Sequence, residues 1–207
     1  MFRHRLEAAE SLARRLSHLK GQNPLILAIP RGGVPMGRRI ADILEGELDV
    51  VLVRKLGAPG NPEFAIGAVG EGDRIWLEDS ANRFGEAAIN REIERQQALI
   101  AERRQRYTPV RAPIDPAERI VVVVDDGSAT GATMTTALES LRPRGPARLI
   151  AALGVAPPET LARLERLADE VICPEAPAHF RAVGQFYADF EPVDDDEVIR
   201  LLGSQPG

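Results

Sequence analysis

The sequence has a single cysteine, Cys173, and three scattered histidines, His4, His18 and His179. One thiol excludes a disulfide framework and a thiolate metal cluster, and three isolated imidazoles do not make a histidine-rich metal site. Long apolar runs are missing too: no segment approaches the roughly 20 residues that a membrane-spanning helix requires. The N-terminus, MFRHRLEAAESLARRL, is charged throughout and lacks the apolar stretch of a signal peptide. Nor is positive charge in excess. The formal net charge is −5, which argues against general nucleic-acid binding. Basic residues do cluster from Arg103 to Arg111, in AERRQRYTPVR. They read as a solvated helix end, with one or two side chains within reach of an anionic substrate. These absences lead us to expect a cytoplasmic protein with neither membrane nor nucleic acid as a partner.

What is present is enough hydrophobic residue, 44% of 207, for one well-buried domain. Leu6, Ala9, Ala13 and Leu16 recur at helical spacing before Gly21. LILAI (25–29) and DVVLVRKL (49–56) read as buried strands, the second carrying Lys55 near its C-terminal end. A Gly/Pro-rich stretch, GAPGNPE, follows. FAIGAVGEGDRIWL then reads as a hairpin turned at Gly70 to Asp73. Ile89, Ile93 and Ile100 give one face to a long charged helix from about Glu86 to Tyr107. IVVVV is a third buried strand, RLIAALGV and EVIC two more, and PETLARLERLA the helix between them. The acidic DDDE opens a final helix, where carboxylates suit the N-terminal dipole. Strands alternating with helices predict a three-layer α/β/α fold, a mostly parallel twisted sheet with an antiparallel edge hairpin. We expect one domain over residues 1–207, with a core of about 22–173 and a small hood-like C-terminal lobe of about 174–207.

The decisive stretch is VVVVDDGSATGAT, residues 121–133. A buried strand ends in two adjacent carboxylates and runs into residues almost without side chains. Ligands of open α/β sheets bind at such strand ends. Small residues let consecutive backbone N–H groups turn inward around a phosphate, and a following helix adds positive field. Asp125 and Asp126 repel phosphate but accept hydrogen bonds from a vicinal diol. A phosphate grip beside a diol grip describes a sugar phosphate. A P-loop is excluded because Ala132, not Lys, precedes Thr133, and a dinucleotide fingerprint because the loop has only Gly127 and Gly131.

The whole stretch resembles the phosphoribosyl-diphosphate (PRPP) signature of type I phosphoribosyltransferases: hydrophobic strand, two acids, small loop, Thr-Gly-x-Thr. IPRGGVPMG resembles that family's diphosphate loop, and DVVLVRKLGAPGNPEFAIGAVGEG resembles a bacterial subgroup named without an assigned acceptor. The resemblance implies that Asp125 and Asp126 hold the ribose 2′- and 3′-hydroxyls. It implies that Gly127, Ser128, Ala129, Thr130, Gly131 and Thr133 wrap the 5′-phosphate. Arg31, Gly32 and Gly33 would face the diphosphate, in a loop that often holds a cis peptide, and Lys55 would reach a diphosphate oxygen. Catalysis would then fall to Arg31, Lys55 and Asp126, with Mg²⁺ bound through the substrate and, at most, Asp125 and Asp126. The implied reaction transfers the phosphoribosyl group to a nitrogenous base with release of diphosphate. Ala129 stands where 6-oxopurine members carry an aspartate, which argues against that acceptor class. PRPP or nucleotide binding without turnover is one alternative reading, a remnant sugar-phosphate pocket serving a partner or a hydrolytic reaction is another, and homodimers are common in the family. GAPGNPE and the stretch after Trp76 are the candidates for a closing loop. Phe180, Tyr187 and Trp76 read as packing residues, and Cys173 as an inert buried thiol.

Overall fold

The computed structural model describes residues 1–71 and 74–204. Five strands, β1 (Leu25–Ala28), β2 (Glu47–Val50), β6 (Ile120–Asp125), β7 (Arg148–Leu153) and β8 (Glu170–Ile172), form a parallel sheet in the order β2-β1-β6-β7-β8. Alternate side chains serve opposite faces, as the strand period dictates. Val122 and Val124 join Ile26, Ala28 and Leu48 beneath α1 (Arg5–Arg15) and α2 (Gly33–Leu44). Val121 and Val123 join Leu25, Leu27 and Leu149 beneath α4 (Ala132–Leu141) and α5 (Pro158–Leu164). The predicted three layers are therefore present. In α1 the buried face is set by Ala8, Ala9, Leu12 and Ala13, whereas Leu6 is exposed.

The antiparallel part is larger than the expected edge hairpin and forms a sheet of its own. Strands β3 (Val53–Ala58), β4 (Asn61–Gly70) and β5 (Arg74–Leu77) pair in sequence order. This sheet packs against α4 and against α3 (Glu86–Tyr107), the long helix expected from its isoleucines. DVVLVRKL is two strands rather than one. Val51 N–H still donates to Ala28 O at 3.0 Å, in line with the parallel sheet. One residue later Leu52 exchanges bonds with Glu71, and Val53 pairs with Gly70, so the chain passes from one sheet to the other. GAPGNPE belongs to the β3–β4 hairpin, whose turn places Gly60 at φ +79°, and the stretch after Trp76 leads into a 3-10 turn, Asp79–Arg83. The expected turn at Gly70 to Asp73 has its tip, 72 and 73, outside the described residues.

Beyond β8 the chain returns to its own start. Phe2 N–H donates to Phe186 O at 2.8 Å, and Ala188 N–H donates to Phe2 O at 2.9 Å. The final helix α6 (Asp195–Gly203) is capped by Asp194, whose carboxylate accepts from Glu197 N–H at 2.7 Å, and packs on α2 and α3. The segment beyond residue 174 thus spreads over both the N-terminus and the core. No helix among the described residues is long and apolar enough to cross a membrane.

Candidate active site

The carboxyl ends of β1 and β6 lie side by side, which brings the two sequence motifs together. Ile29 N–H donates to Val124 O at 2.8 Å, so the chain after β1 is pinned to the end of β6. Pro30 and Arg31 are joined by a cis peptide, as the resemblance implies. Gly32 and Gly33 then press against β6. A Cβ built on Gly32 would sit 2.0 Å from Asp126 Oδ2, and one on Gly33 2.5 Å from Val124 O. The Asp126 carboxylate therefore occupies the space that any side chain at position 32 would need. Arg31 is exposed beside this contact.

The loop from 127 to 131 is held from both sides. Ser128 N–H donates to Val155 O at 3.0 Å, and Ser128 Oγ accepts from Gly131 N–H at 2.8 Å. Thr160, on α5, donates its hydroxyl to Ala129 O at 2.9 Å. Gly131 caps α4 in the left-handed region at φ +69°, and a Cβ there would meet Thr160 at 2.8 Å, so the position requires glycine. Ala129 and Thr130 face outward, with Thr133 half-buried in the first turn of α4. The N–H groups of that turn have no intrahelical acceptor and point out of the helix end.

Three residues to which the sequence reading gave no role in the site complete it. Arg5, at the start of α1, donates Nε–H to Asp126 Oδ2 at 2.9 Å and Nη1–H to Glu191 O at 2.7 Å. Its guanidinium lies 3.9 Å from the centre of the Phe190 ring. Tyr187, read as packing, is indeed buried and stacks on Phe190, but its hydroxyl also donates to Asp126 O at 2.6 Å. A Cβ on Gly154 would lie 2.1 Å from that hydroxyl, so Gly154 makes room for it. No local pattern marks these residues; Arg5 and Arg3 stand in equivalent charged surroundings in FRHRLE.

Withdrawal from water pushes the Asp125 carboxyl well above the usual aspartate range, and the charge of Asp126 pushes it the same way. Asp126 is raised as well, again by burial, although Arg5 counteracts part of the effect. Such a pair resists carrying two charges in the unliganded protein. Both carboxyls offer hydrogen-bonding oxygens at one strand end, whereas no cluster of three acidic, His or Cys side chains suited to a metal occurs among the described residues. The expected diphosphate contact from Lys55 is placed differently from the rest. Lys55 is exposed in the middle of β3, opposite Ala68, in the antiparallel sheet and not at the end of a parallel strand. The basic cluster is largely structural: Arg104 binds Asp49 and Glu71, Arg111 binds Leu48 O and Glu47, and Arg106 binds Asp195. Cys173 donates to Glu175 O at 3.1 Å, and burial pushes its thiol up to about 11, which leaves it protonated at neutral pH.

Residues 3–191 match the phosphoribosyl transferase domain. The chain belongs to the phosphoribosyl transferase family. Two Mycobacterium tuberculosis proteins, each named "putative phosphoribosyl transferase", are 42% identical to it over 205 residues. The match covers 98% of this chain and 46% of theirs, so the chain spans about half the length of these curated relatives. Among solved structures, TT1426 from Thermus thermophilus is 46% identical and superposes with a TM-score of 0.86, covering 98% of this chain and 97% of that one. The fold expected from the phosphoribosyltransferase resemblance is the fold of the chain.

Proposed function

We propose that this phosphoribosyl transferase domain binds PRPP and transfers its 5-phosphoribosyl group to a nitrogenous base, with release of diphosphate. One observation carries this reading: Asp126 Oδ2 fills the space of a side chain at Gly32, so the acidic strand end and the diphosphate loop are built as one surface. In this reading Asp125 and Asp126 accept hydrogen bonds from the ribose 2′- and 3′-hydroxyls. Arg5 occupies one oxygen of Asp126, and a carboxylate has further lone pairs for a hydroxyl. Residues 127–133 surround the 5′-phosphate at the start of α4. Backbone at Gly32 and Gly33 approaches the diphosphate closely, and Arg31 offers it a two-pronged donor. Lys55 reaches it only if the antiparallel sheet approaches the bound substrate.

Chemically, the bond from ribose C1 to diphosphate breaks and its electron pair leaves with the diphosphate oxygen. The base nitrogen's lone pair forms the new bond to C1, and that nitrogen loses its proton. Two carboxylates without a third ligand fit a Mg²⁺ ion held mainly by substrate oxygens. When bound, Mg²⁺ would supply charge neutralisation on the diphosphate. The chain's own contribution is positioning and electrostatic stabilisation. Ala129 leaves no carboxylate for a 6-oxopurine ring, so adenine, orotate and other bases are the acceptors to assay first.

The test is thermal unfolding with and without PRPP and Mg²⁺. Ligand at about 100-fold its dissociation constant adds about 2.7 kcal/mol, or roughly 5–11 °C for a chain of this size. Asp126→Asn should weaken the shift. A base that triggers diphosphate release identifies the acceptor. A PRPP shift without release by any base would support a binding protein instead, and no shift at all would overturn the proposal.

A further inference from the structure

We infer a second ligand site on the outer flank of α4, built for a heteroaromatic ring that carries an anionic group. A cavity of about 480 Å³ lies between α4, β4 and β5 of the antiparallel sheet, and α5 with the residues just beyond it. That volume is within the range of small-molecule sites, roughly 300–1,000 Å³. Its position separates it from the strand-end carboxylates: neither Asp125, Asp126, Gly32 nor Arg31 lines it. Thr130 and Ala132 line it from the loop assigned to the 5′-phosphate, and Arg163 Nη2 would lie 3.0 Å from a Cβ on Gly131, so the two sites adjoin along that loop.

The chemistry of the walls defines the ligand. Trp76 and Phe64 provide aromatic surface, and Phe64 is 43% exposed although it lines a concavity. Opposite them, α4 presents Thr135 and Glu139, one turn apart. Its Met134, Ala137, Leu138 and Leu141 face the parallel sheet instead. Thr135 is 6% exposed, and its Oγ1 has no hydrogen-bond partner among the described residues. Neither has the buried Oε2 of Glu139. Both atoms are closed to solvent just beneath the wall formed by their side chains, and a buried polar atom without a partner is costly unless a small turn of the side chain lets something complete it. Burial pushes the Glu139 carboxyl above its usual value, toward the form that can donate as well as accept. The ring edge of a nucleobase offers such donors and acceptors, while its faces suit Trp76 and Phe64. Arg163 and Arg166 also line it, exposed, neither with an ion pair among the described residues. Two guanidiniums in a cavity that also has aromatic walls suit a phosphate or carboxylate. Ring and anion together give a ligand of nucleoside-monophosphate dimensions. The inference does not depend on PRPP binding or on turnover.

Trp76 is the chain's one tryptophan and lines this cavity and a neighbouring one, so its emission responds to a ligand here and the Arg166 variant assigns the response to this cavity. The probes are AMP and GMP, with adenosine as ring without anion and ribose 5-phosphate as anion without ring. AMP or GMP should change Trp76 emission saturably, with both partial probes weaker. Arg166→Ala, at an exposed position, should weaken nucleotide binding about tenfold or more, and Glu139→Leu should weaken it further. Asp126→Asn should leave it unchanged. Emission indifferent to both nucleotides would overturn the inference. So would a response that Asp126→Asn abolishes and Arg166→Ala preserves, because the nucleotide would then occupy the strand-end site. Emission that follows protein concentration instead of nucleotide would equally overturn it and would assign the cavity to contact with a second copy of the chain.

Discussion

Asp125 binds its proton more tightly in the folded chain than an ordinary aspartate does, because packed protein surrounds it and Asp126 adjoins it. The consequence for stability has a definite sign. A carboxyl whose folded value is raised contributes most at low pH, and that contribution is lost as pH rises through the folded value. At neutral pH the charge of Asp125 should therefore strain the unliganded protein. Asp125→Asn keeps an oxygen for the Asp126 N–H, which now donates to Asp125 Oδ1 at 2.9 Å, and removes the charge. We expect the variant to unfold about 2–4 °C higher than the parent at neutral pH, the shift that roughly 1 kcal/mol produces in a chain of this size. The advantage should vanish as pH falls, while the PRPP-induced shift is lost at every pH. Unfolding midpoints across a pH series test this; a variant less stable at neutral pH would show that the charge is favourable in the resting protein. The acidic pair and its glycine loop were legible in the sequence because their chemistry is local. Tyr187 was not, because its contact with Asp126 spans 61 residues and depends on the path of the tail.

At the level of elements, α3 was legible to the residue, since Ile89, Ile93 and Ile100 mark one face of a long amphipathic helix. The passage from β2 to β3 was hidden, because the unbroken apolar run Val50–Val53 carries no sign of a change of sheet. What makes that passage possible is polar. Asp49 accepts from Ile114 N–H at 3.0 Å and from Arg104 at 3.1 Å, and Arg104 also binds Glu71 and Val50 O. Arg104 thereby ties α3 to the corner between the two sheets. Its side chain is 13% exposed and that of Asp49 only 2%, so replacement would leave a buried carboxylate short of its cation. We expect Arg104→Leu to cost about 3 kcal/mol, a fall of roughly 6–12 °C in unfolding midpoint. Adding Asp49→Asn should recover part of the loss, since it removes the stranded charge. A full loss unchanged by the second substitution would point to packing of the arginine stem instead.

Across the whole molecule, the two ends of the sequence meet at the acidic strand end in its centre. Arg5 is the joint: it opens α1 and touches the Asp126 carboxylate, the Phe190 ring and Glu191 O. Its partner Asp126 lies 121 residues away, a distance no sequence pattern spans, so the joint was visible only in the fold. Both side chains are nearly buried, at 13% and 12% exposure. Removing one member of such a pair strands the other. Arg5→Ala should therefore cost about 3 kcal/mol, and Arg5→Ala with Asp126→Asn should cost less than the two single losses combined. The tail should respond as well. Ala188 and Asp189 donate their N–H groups to Phe2 O and Arg3 O at 2.9 and 2.8 Å, and these bonds depend on the tail staying against α1. In Arg5→Ala those two amides should exchange with solvent faster, whereas the amides of β6 and β7, deep in the parallel sheet, should slow or quicken only with global stability. Equal acceleration everywhere would mean that Arg5 contributes to the fold as a whole. Acceleration confined to the tail would mean that it fastens the tail over the carboxylates, with Asp126 oriented from behind by the start of the chain before any ligand arrives.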